Sequence, residues 1–202
     1  MRYNGNIRKG GGIYLVQTLY LMRHGQTLFN QQGKMQGWCD SPLTELGKQQ
    51  AKAAAEYFND IPLGSAYSST SERTSDTLEL ITTLPYQRIK GLKEWNFGAL
   101  EAEHDYLIPP LPYGDFFVAF GGEGEEAFRE RVAATILDLM KKDTQEHVLM
   151  VSHGACCRQF IRTWAHTSDL THQGRFGNCC ILKFEFANDT FRLLEINDPN
   201  NN

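Results

Sequence analysis

Leu21-Met22-Arg23-His24-Gly25-Gln26-Thr27 is the stretch of this sequence that decides the fold, because an apolar run ends there on a cation, an imidazole and a glycine. Residues 14–22 are mostly β-branched, aromatic or aliphatic, which predicts a buried strand of an open α/β sheet. Arg23 and His24 then follow at the C-terminal end of the strand, where such sheets bind ligands. A guanidinium presents a rigid fork of donors to phosphate oxygens, and a neutral imidazole can attack phosphorus. The stretch therefore predicts a phosphate site at the edge of the sheet.

The rest of the chain alternates between strand-like and helix-like segments, which predicts an α/β fold, a three-layer α/β/α sandwich with a mostly parallel central sheet. Further strands are expected at residues 65–68, 87–92 and 147–152, and the last two strands form a hairpin that turns at Asn188-Asp189. Helices are expected from the cap Thr44 to about Asn59, through Arg73 to Ile81, around residues 128–140, and at 155–166. We assign residues 1–12 to a flexible N-terminal extension and residues 13–199 to a single domain.

Composition excludes several classes of function. The formal net charge of -4 and the lack of a long basic run argue against nucleic acid as a partner. No apolar stretch is long enough to cross a bilayer, so no membrane partner is expected. The N-terminal apolar run is interrupted by Gln17 and continues into the Arg23-His24 motif, which is not typical of a cleaved leader. A cytoplasmic location is expected.

The five cysteines include two adjacent pairs, which is a poor arrangement for a disulfide framework and fits a reducing compartment. An alternative is a zinc site built from His153 and these cysteines, but the spacing contains no C-x-x-C unit. We expect instead small cysteines that pack between sheet and helix.

Residues 23–51, RHGQTLFNQQGKMQGWCDSPLTELGKQQA, resemble the histidine phosphatase (phosphoglycerate mutase-like) superfamily at almost every motif position. The resemblance covers nearly the whole chain after the first dozen or so residues, because three more blocks recur in family order. They are Ser68-Ser69 followed by Arg73 and Thr77, Leu92-Lys93-Glu94 followed by Phe97-Gly98, and Ser152-His153-Gly154 followed by Arg158. The resemblance implies a phosphoglycerate mutase-like fold.

The resemblance also implies three catalytic residues, each just beyond a predicted strand. His24 resembles the nucleophile that takes the phosphoryl group to give a phosphohistidine. His153 resembles the second histidine of the family, which donates a hydrogen bond to a non-bridging phosphate oxygen. Glu94 resembles the general acid that protonates the leaving oxygen, a task that requires a proton on its carboxyl group.

Phosphate binding is expected from four further residues. Arg23 and Arg73 would clamp the phosphate oxygens and stabilise the equatorial oxygens of an in-line transition state. Asn30 matches an additional polar phosphate ligand of the family, and Gly154 opens a helix whose backbone donors suit an anion. Because arginine and histidine supply the positive charge, no cofactor and no metal ion are expected.

The leaving group is the harder question, because relatives include mutases and phosphatases. The segment from Ala99 through Phe128 contains no Lys or Arg, so we expect little electrostatic support for a multiply charged substrate there. It carries an apolar cluster that would form a lid over an apolar leaving group or simply pack onto the domain, namely Leu107, Ile108, Pro109, Pro110, Leu111, Pro112, Tyr113, Phe116, Phe117, Val118 and Phe120.

The sequence departs from the family pattern at Lys34, where arginine is common, and at Ala102, where glycine is common. Lys34 keeps the charge but loses the planar fork, so it does not offer the bidentate contact of an arginine at that position. We expect a cytoplasmic phosphomonoester phosphatase that acts on a small phosphate ester with a neutral or apolar leaving group. The alternatives are a 2,3-bisphosphoglycerate-dependent phosphoglycerate mutase and a non-catalytic phosphate-binding domain. A homodimer stays open, because dimers occur among relatives.

Overall fold

A computed structural model of the chain describes residues 6–9, 12–172 and 174–198. The strands are β1 (Asn6–Lys9), β2 (Gly12–Leu15), β3 (Gln17–Arg23), β4 (Ser65–Ser69), β5 (Tyr86–Ile89), β6 (His147–Ser152), β7 (Ile181–Ala187) and β8 (Thr190–Asn197). The α-helices are α1 (Leu28–Gln31), α2 (Glu45–Glu56), α3 (Glu72–Glu79), α4 (Glu125–Lys142) and α5 (Gly154–Thr163). Short 3₁₀ helices cover Lys90–Leu92, Gly98–Leu100, Asp105–Leu107, Phe116–Phe120 and Ala165–Thr167.

The central sheet has six strands in the order β5-β4-β6-β3-β7-β8. The four strands β5, β4, β6 and β3 run parallel, and β7 and β8 extend the sheet, with β7 antiparallel to β3 and β8 antiparallel to β7. The parallel strands therefore end at one edge of the sheet, where α/β folds bind their ligands. Strands β1 and β2 form a separate antiparallel pair.

Side chains alternate across β3, so both faces of the sheet are buried. Leu19 and Leu21 pack into the cluster that includes residues of α4 and α5, whereas Tyr20 and Met22 pack into the cluster that includes residues of α2 and α3. This arrangement confirms the expected three-layer sandwich with a mostly parallel sheet.

The predicted elements are present, with shifts at their ends. Thr44 caps α2 by accepting the Gly47 N–H at 3.0 Å, but the α-helix ends at Glu56 rather than near Asn59. The strand expected at residues 14–22 is divided, because Val16 separates β2 from β3. The hairpin turns at Asn188 and Asp189, whose φ angles of 52° and 59° are those of a primed turn.

The expected flexible extension, residues 1–12, lies partly outside the described residues, which omit 1–5, 10 and 11. Its residues 6–9 form β1. None of the helices in the described part of the chain is both long and apolar enough to cross a membrane.

The apolar residues between Leu107 and Phe120 contribute both to the core and to the wall of a cavity. Phe117 is fully buried and contacts Trp95 and Phe97, so it is part of the core. Ile108 and Tyr113 are partly buried against the same core and also line a cavity at the C-terminal ends of the parallel strands. The segment therefore packs onto the domain and also contributes to the cavity wall, and its role as a lid stays a prediction.

Candidate active site

The two sequence-predicted histidines meet because their strands are neighbours in register. Arg23 of β3 pairs with Ser152 of β6, so His24 and His153 each follow directly beyond a paired position. The backbone N–H of His24 donates to the Ser152 carbonyl at 3.1 Å, and the centroids of the His24 and His153 imidazole rings lie 5.4 Å apart. Both side chains are almost completely buried. The parallel sheet therefore builds a histidine pair from residues far apart in sequence.

Gly25 lets the loop after β3 pass close to helix α2. A Cβ atom on Gly25 would lie 2.5 Å from the Gly47 carbonyl oxygen, and one on Gly47 would collide with the Gln26 backbone. The Gly25 N–H also donates to the Thr77 Oγ1 at 3.0 Å, which ties the loop to α3. These contacts hold the backbone next to His24 in one position.

The hydrogen bond of His24 determines which ring nitrogen is available. Its Nδ1 lies 2.7 Å from the Gly25 carbonyl oxygen, which can only accept, so Nδ1 carries the proton. The lone pair of the neutral ring is therefore on Nε2. Because His24 lines the cavity, this lone pair belongs to the group expected to attack phosphorus.

His153 has the opposite tautomer. The Arg73 Nη2 donates to the His153 Nδ1 at 2.9 Å, so Nδ1 accepts and the neutral ring carries its proton on Nε2. That Nε2 is buried and has no hydrogen-bond partner among the described residues. The pair thus combines a nitrogen with a lone pair and a nitrogen with a proton, as nucleophile and hydrogen-bond donor require.

Burial and charge keep both rings neutral. Burial, followed by the nearby Arg73 and Arg23, holds the pKa of His24 well below its usual range. Burial and the charge of Arg73 likewise lower the pKa of His153 well below that range. A neutral His24 keeps its lone pair across the physiological pH range, so the two arginines favour the nucleophilic form of the ring.

Arg73 lies beside His153, and its guanidinium is held by the loop at residues 37–40. Its Nη1 and Nη2 donate to the carbonyls of Cys39 and Gly37, each at 2.9 Å, and to the Asp40 carboxylate at 2.8 Å. Its guanidinium is fully buried and is not among the groups that line the cavity. Within the described residues, Nε is the guanidinium nitrogen of Arg73 without a partner, and the phosphate clamp expected of Arg73 stays a prediction. Besides holding the loop, Arg73 donates to the His153 Nδ1.

Glu101 holds the loop that supplies these carbonyls, and sequence reasoning missed it. Its carboxylate accepts backbone N–H bonds from Gly37 at 3.0 Å, Trp38 at 2.8 Å, Cys39 at 3.1 Å and Phe97 at 3.0 Å. Four N–H donors on one carboxylate make an unusually well-satisfied anion. The available signal was its place near the predicted Phe97-Gly98 block.

Glu94 lies beyond β5 and the 3₁₀ turn Lys90–Leu92, at the same edge as the histidines. It lines the cavity, and its two carboxylate oxygens accept the N–H groups of Trp95 and Ala155, each at 3.0 Å. The bond to Ala155 docks Glu94 at the first turn of α5. This position gives the expected general acid a fixed orientation toward the cavity that His24 also lines.

The expected phosphate ligands Arg23, Asn30 and Gly154 all line a cavity of about 310 Å³ together with His24 and Glu94. Arg23 donates to the Phe176 carbonyl, while its Nε is buried and without a partner in the described part of the chain. The Asn30 Oδ1 caps α1 by accepting the Thr27 N–H at 3.2 Å, so its amide nitrogen is the group that can face a ligand.

Several cavity residues had no role in the sequence prediction. The sequence analysis named Lys34 as a departure from the family pattern and Arg158 as part of a family block, without placing either in the site. Arg175 and Asn178 lie in an irregular loop that offers no periodic signal. Asn178 donates to the Asn30 Oδ1 at 3.2 Å and to the His24 carbonyl at 3.1 Å. Residues 99–128 themselves supply no Lys or Arg, and the cations Lys34, Arg158 and Arg175 reach the cavity from other segments.

The zinc alternative finds no support in the geometry. The His153 Nδ1 is occupied by Arg73, and all five cysteines are free thiols. Burial raises the pKa of the Cys156 thiol well above its usual range, as it does for Cys157. Across the described residues, no three His, Cys, Asp or Glu side chains form a group suited to a metal ion.

Comparison with known proteins places this chain beside phosphatases and mutases. A family model described as the histidine phosphatase superfamily (branch 1) matches residues 19–199. The uncharacterized phosphatase PhoE of Bacillus subtilis strain 168 is 27% identical over 184 residues, which are 88% of this chain and 92% of the relative.

The 2,3-bisphosphoglycerate-dependent phosphoglycerate mutase 2 of Gloeobacter violaceus is 35% identical over 190 residues, 85% of this chain and 86% of the relative. The crystal structure of phosphoglycerate mutase from Bacillus anthracis strain Sterne superposes with a TM-score of 0.80 at 26% identity and covers 90% of this chain and 93% of that one.

Proposed function

The chain belongs to the histidine phosphatase superfamily, branch 1, and on that premise we propose that it is a phosphomonoester phosphatase that works through a phosphohistidine without a metal ion. The observation that carries this proposal is the pair of opposite histidine tautomers. The Nδ1 of His24 donates to a carbonyl and the Nδ1 of His153 accepts from Arg73. One ring therefore offers a lone pair and its neighbour offers a proton, which is what attack on phosphorus and support of a phosphoryl oxygen need.

The reaction has two displacements at phosphorus. The Nε2 lone pair of His24 attacks the ester phosphorus, the bond to the leaving oxygen breaks, and protonated Glu94 gives its proton to that oxygen. Water then attacks the phosphohistidine, Glu94 takes a proton from the water, and the bond between phosphorus and nitrogen breaks. Inorganic phosphate is released, and neutral His24 and protonated Glu94 are regenerated.

Charge on the phosphoryl oxygens is met by groups of the chain itself. The buried Nε–H of Arg23 and the Nε2–H of His153 lack partners within the described residues, and a buried donor without a partner costs free energy until a ligand accepts from it. These donors supply the electrostatic stabilisation that a metal ion gives in other phosphoryl-transfer sites, which supports a metal-independent mechanism.

The proposed substrate is a small phosphate ester whose leaving group is at least partly apolar. Ile108, Tyr113 and Phe176 line the cavity beside the catalytic residues and support such a leaving group. A phosphoglycerate mutase is the second candidate, because Lys34, Arg158 and Arg175 line the same cavity and could bind a second anionic group.

The proposed location is the cytoplasm. The five cysteines are free thiols, and four of them are buried. Unpaired cysteines in this number support a reducing compartment.

The test measures phosphate release from p-nitrophenyl phosphate, sugar phosphates and 3-phosphoglycerate in EDTA. We expect release that His24→Asn abolishes and that His166→Asn, a change of an exposed histidine outside the cavity, leaves intact. Brief reaction with labelled ester should also leave an acid-labile phosphoryl group on the wild-type chain only.

The same samples separate the two candidates. Conversion of 3-phosphoglycerate to its isomer after priming with the bisphosphate, with no phosphate released from any ester, would establish the mutase. Loss of release in EDTA that added metal restores would overturn metal independence. No reaction in either assay would overturn both enzymatic candidates.

A further inference from the structure

A second cavity adjoins the catalytic one. Its volume is about 550 Å³, larger than the 310 Å³ of the catalytic cavity. Six residues line both of them, so the two form one continuous space: Asp105, Ile108, Tyr113, Arg158, Arg175 and Phe176. Volumes of this size are typical of sites for organic molecules rather than for phosphate alone.

The second cavity has an apolar wall on one side. Pro109, Pro110 and Leu111 contribute it from the segment after the 3₁₀ turn Asp105–Leu107, and Ile161 contributes from helix α5. Leu111 is about half exposed, and an apolar ligand seated against it would remove that surface from water.

The three arginines that line this cavity differ in whether a carboxylate forms an ion pair with them. Arg175 pairs with Asp105 at 3.3 Å, and Arg162 pairs with Glu125. Arg158 lines both cavities, yet no carboxylate within the described residues forms an ion pair with it, and its Nε is buried without a hydrogen-bond partner. Of the three arginines that line the second cavity, Arg158 is thus the one without a carboxylate partner among the described residues.

We propose that the second cavity holds the leaving group of the substrate, and that this leaving group has a bulky apolar body and an anionic substituent bound by Arg158. The inference rests on the proposed phosphatase function and deepens it. Arg158 would bind a carboxylate or sulfonate at the boundary of the two cavities, while the ring or chain packs on Ile161 and the proline wall. Short ester substrates would leave most of the second cavity unused.

The test is a set of four aryl phosphates that varies size and charge independently: phenyl, 4-carboxyphenyl, 2-naphthyl and 6-carboxy-2-naphthyl phosphate. The leaving groups are all phenols of similar acidity, so differences in kcat/KM report binding of the leaving group. We expect the second ring to raise kcat/KM by about tenfold and the carboxylate to raise it by a further factor of about ten.

Two variants assign these preferences to residues. Arg158→Met should remove the preference for the carboxylate and keep the preference for the naphthyl ring. Ile161→Trp, which fills the apolar wall, should remove the ring preference and keep that for the carboxylate. Arg192→Met and Leu46→Trp are matched controls on β8 and α2, because both residues are exposed and neither lines the cavities.

The outcomes separate this inference from the proposed function. Turnover of all four esters with kcat/KM values within about twofold of one another would overturn the inference and leave the phosphatase intact. If no ester is hydrolysed, calorimetric binding of the same esters to the His24→Asn protein decides. The predicted ranking in affinity would support the cavity as a ligand site without phosphatase activity, and equal affinities would overturn it.

Discussion

Replacing Glu101 with alanine should destabilise the fold and slow the reaction, although Glu101 is not among the residues that line the catalytic cavity. Its carboxylate accepts four backbone N–H bonds from the loop at residues 37–39 and from Phe97. That loop presents the Gly37 and Cys39 carbonyls to Arg73, which in turn donates to the His153 Nδ1. Loss of the Glu101 carboxylate would therefore loosen the loop whose carbonyls hold Arg73, and with it the hydrogen bond that fixes the tautomer of His153.

The magnitude follows from the hydrogen bonds. A bond to a charged group contributes about 1.5–3 kcal/mol, but a water molecule in the space of the missing carboxylate can accept about two of the four N–H groups. The other two are left unpaired at about 1–3 kcal/mol each, so the expected loss in free energy of unfolding is about 4 kcal/mol. Glu101→Gln should be nearly as costly, because its amide nitrogen would face two of the same donors.

Urea denaturation of Glu101→Ala, Glu101→Gln and the control Glu103→Ala measures this loss. Glu103 lies two residues away and is exposed, with no side-chain hydrogen bond within the described part of the chain. We also expect kcat to fall at least tenfold in both Glu101 variants while KM changes less, since the role proposed for His153 is to support the transition state. A free energy of unfolding within about 1 kcal/mol of wild type would refute the anchor, and an unchanged kcat would refute its link to His153.

Three more outcomes follow from the contacts around the histidines. Arg73→Lys should lower kcat by about 100-fold with a smaller change in KM, because lysine cannot serve the loop carbonyls and the His153 Nδ1 together, as steady-state kinetics on p-nitrophenyl phosphate would show. Gly47→Ala should destabilise the protein by about 2 kcal/mol in thermal or urea unfolding, although alanine is the better helix former, because its Cβ would collide with the Gln26 backbone. The free energy of unfolding should also fall as the pH is lowered, because folding lowers the pKa values of His24 and His153. Below about pH 6.5 the unfolded chain therefore binds more protons than the folded chain. Each ring then lowers the free energy of unfolding by about 1.4 kcal/mol per pH unit until it protonates in the folded state. Between pH 7.5 and 5.5 the urea midpoint of His24→Asn should therefore drop less steeply than that of the wild type. An equal drop in both proteins would contradict a lowered pKa of His24 in the folded state.

The parts of the site that lie on strand ends could be predicted from the sequence. An apolar run that stops at Arg23 or at Ser152 indicates both that a strand exists and where its next side chain emerges, which is enough to bring His24 and His153 to one edge of the sheet. The role of Arg73 could not be predicted in the same way. Whether a guanidinium faces a ligand or a set of carbonyls depends on a loop distant in sequence, whose path follows from tertiary contacts such as those of Glu101.

The leaving-group region shows why a local count of charges fails in this fold. The absence of Lys and Arg from residues 99–128 is real, but the cavity is closed by three other segments, which bring Lys34, Arg158 and Arg175 to it. The apolar segment supplies one wall and the cations come from elsewhere, so the site is neither apolar nor generally cationic. This composition supports the proposed leaving group, which is apolar along one side and anionic at one point. Because the proposed catalytic residues lie at strand ends and the residues proposed to bind the leaving group lie on loops and on the cavity side of α5, the substrate could change while the chemistry proposed at His24 stays the same.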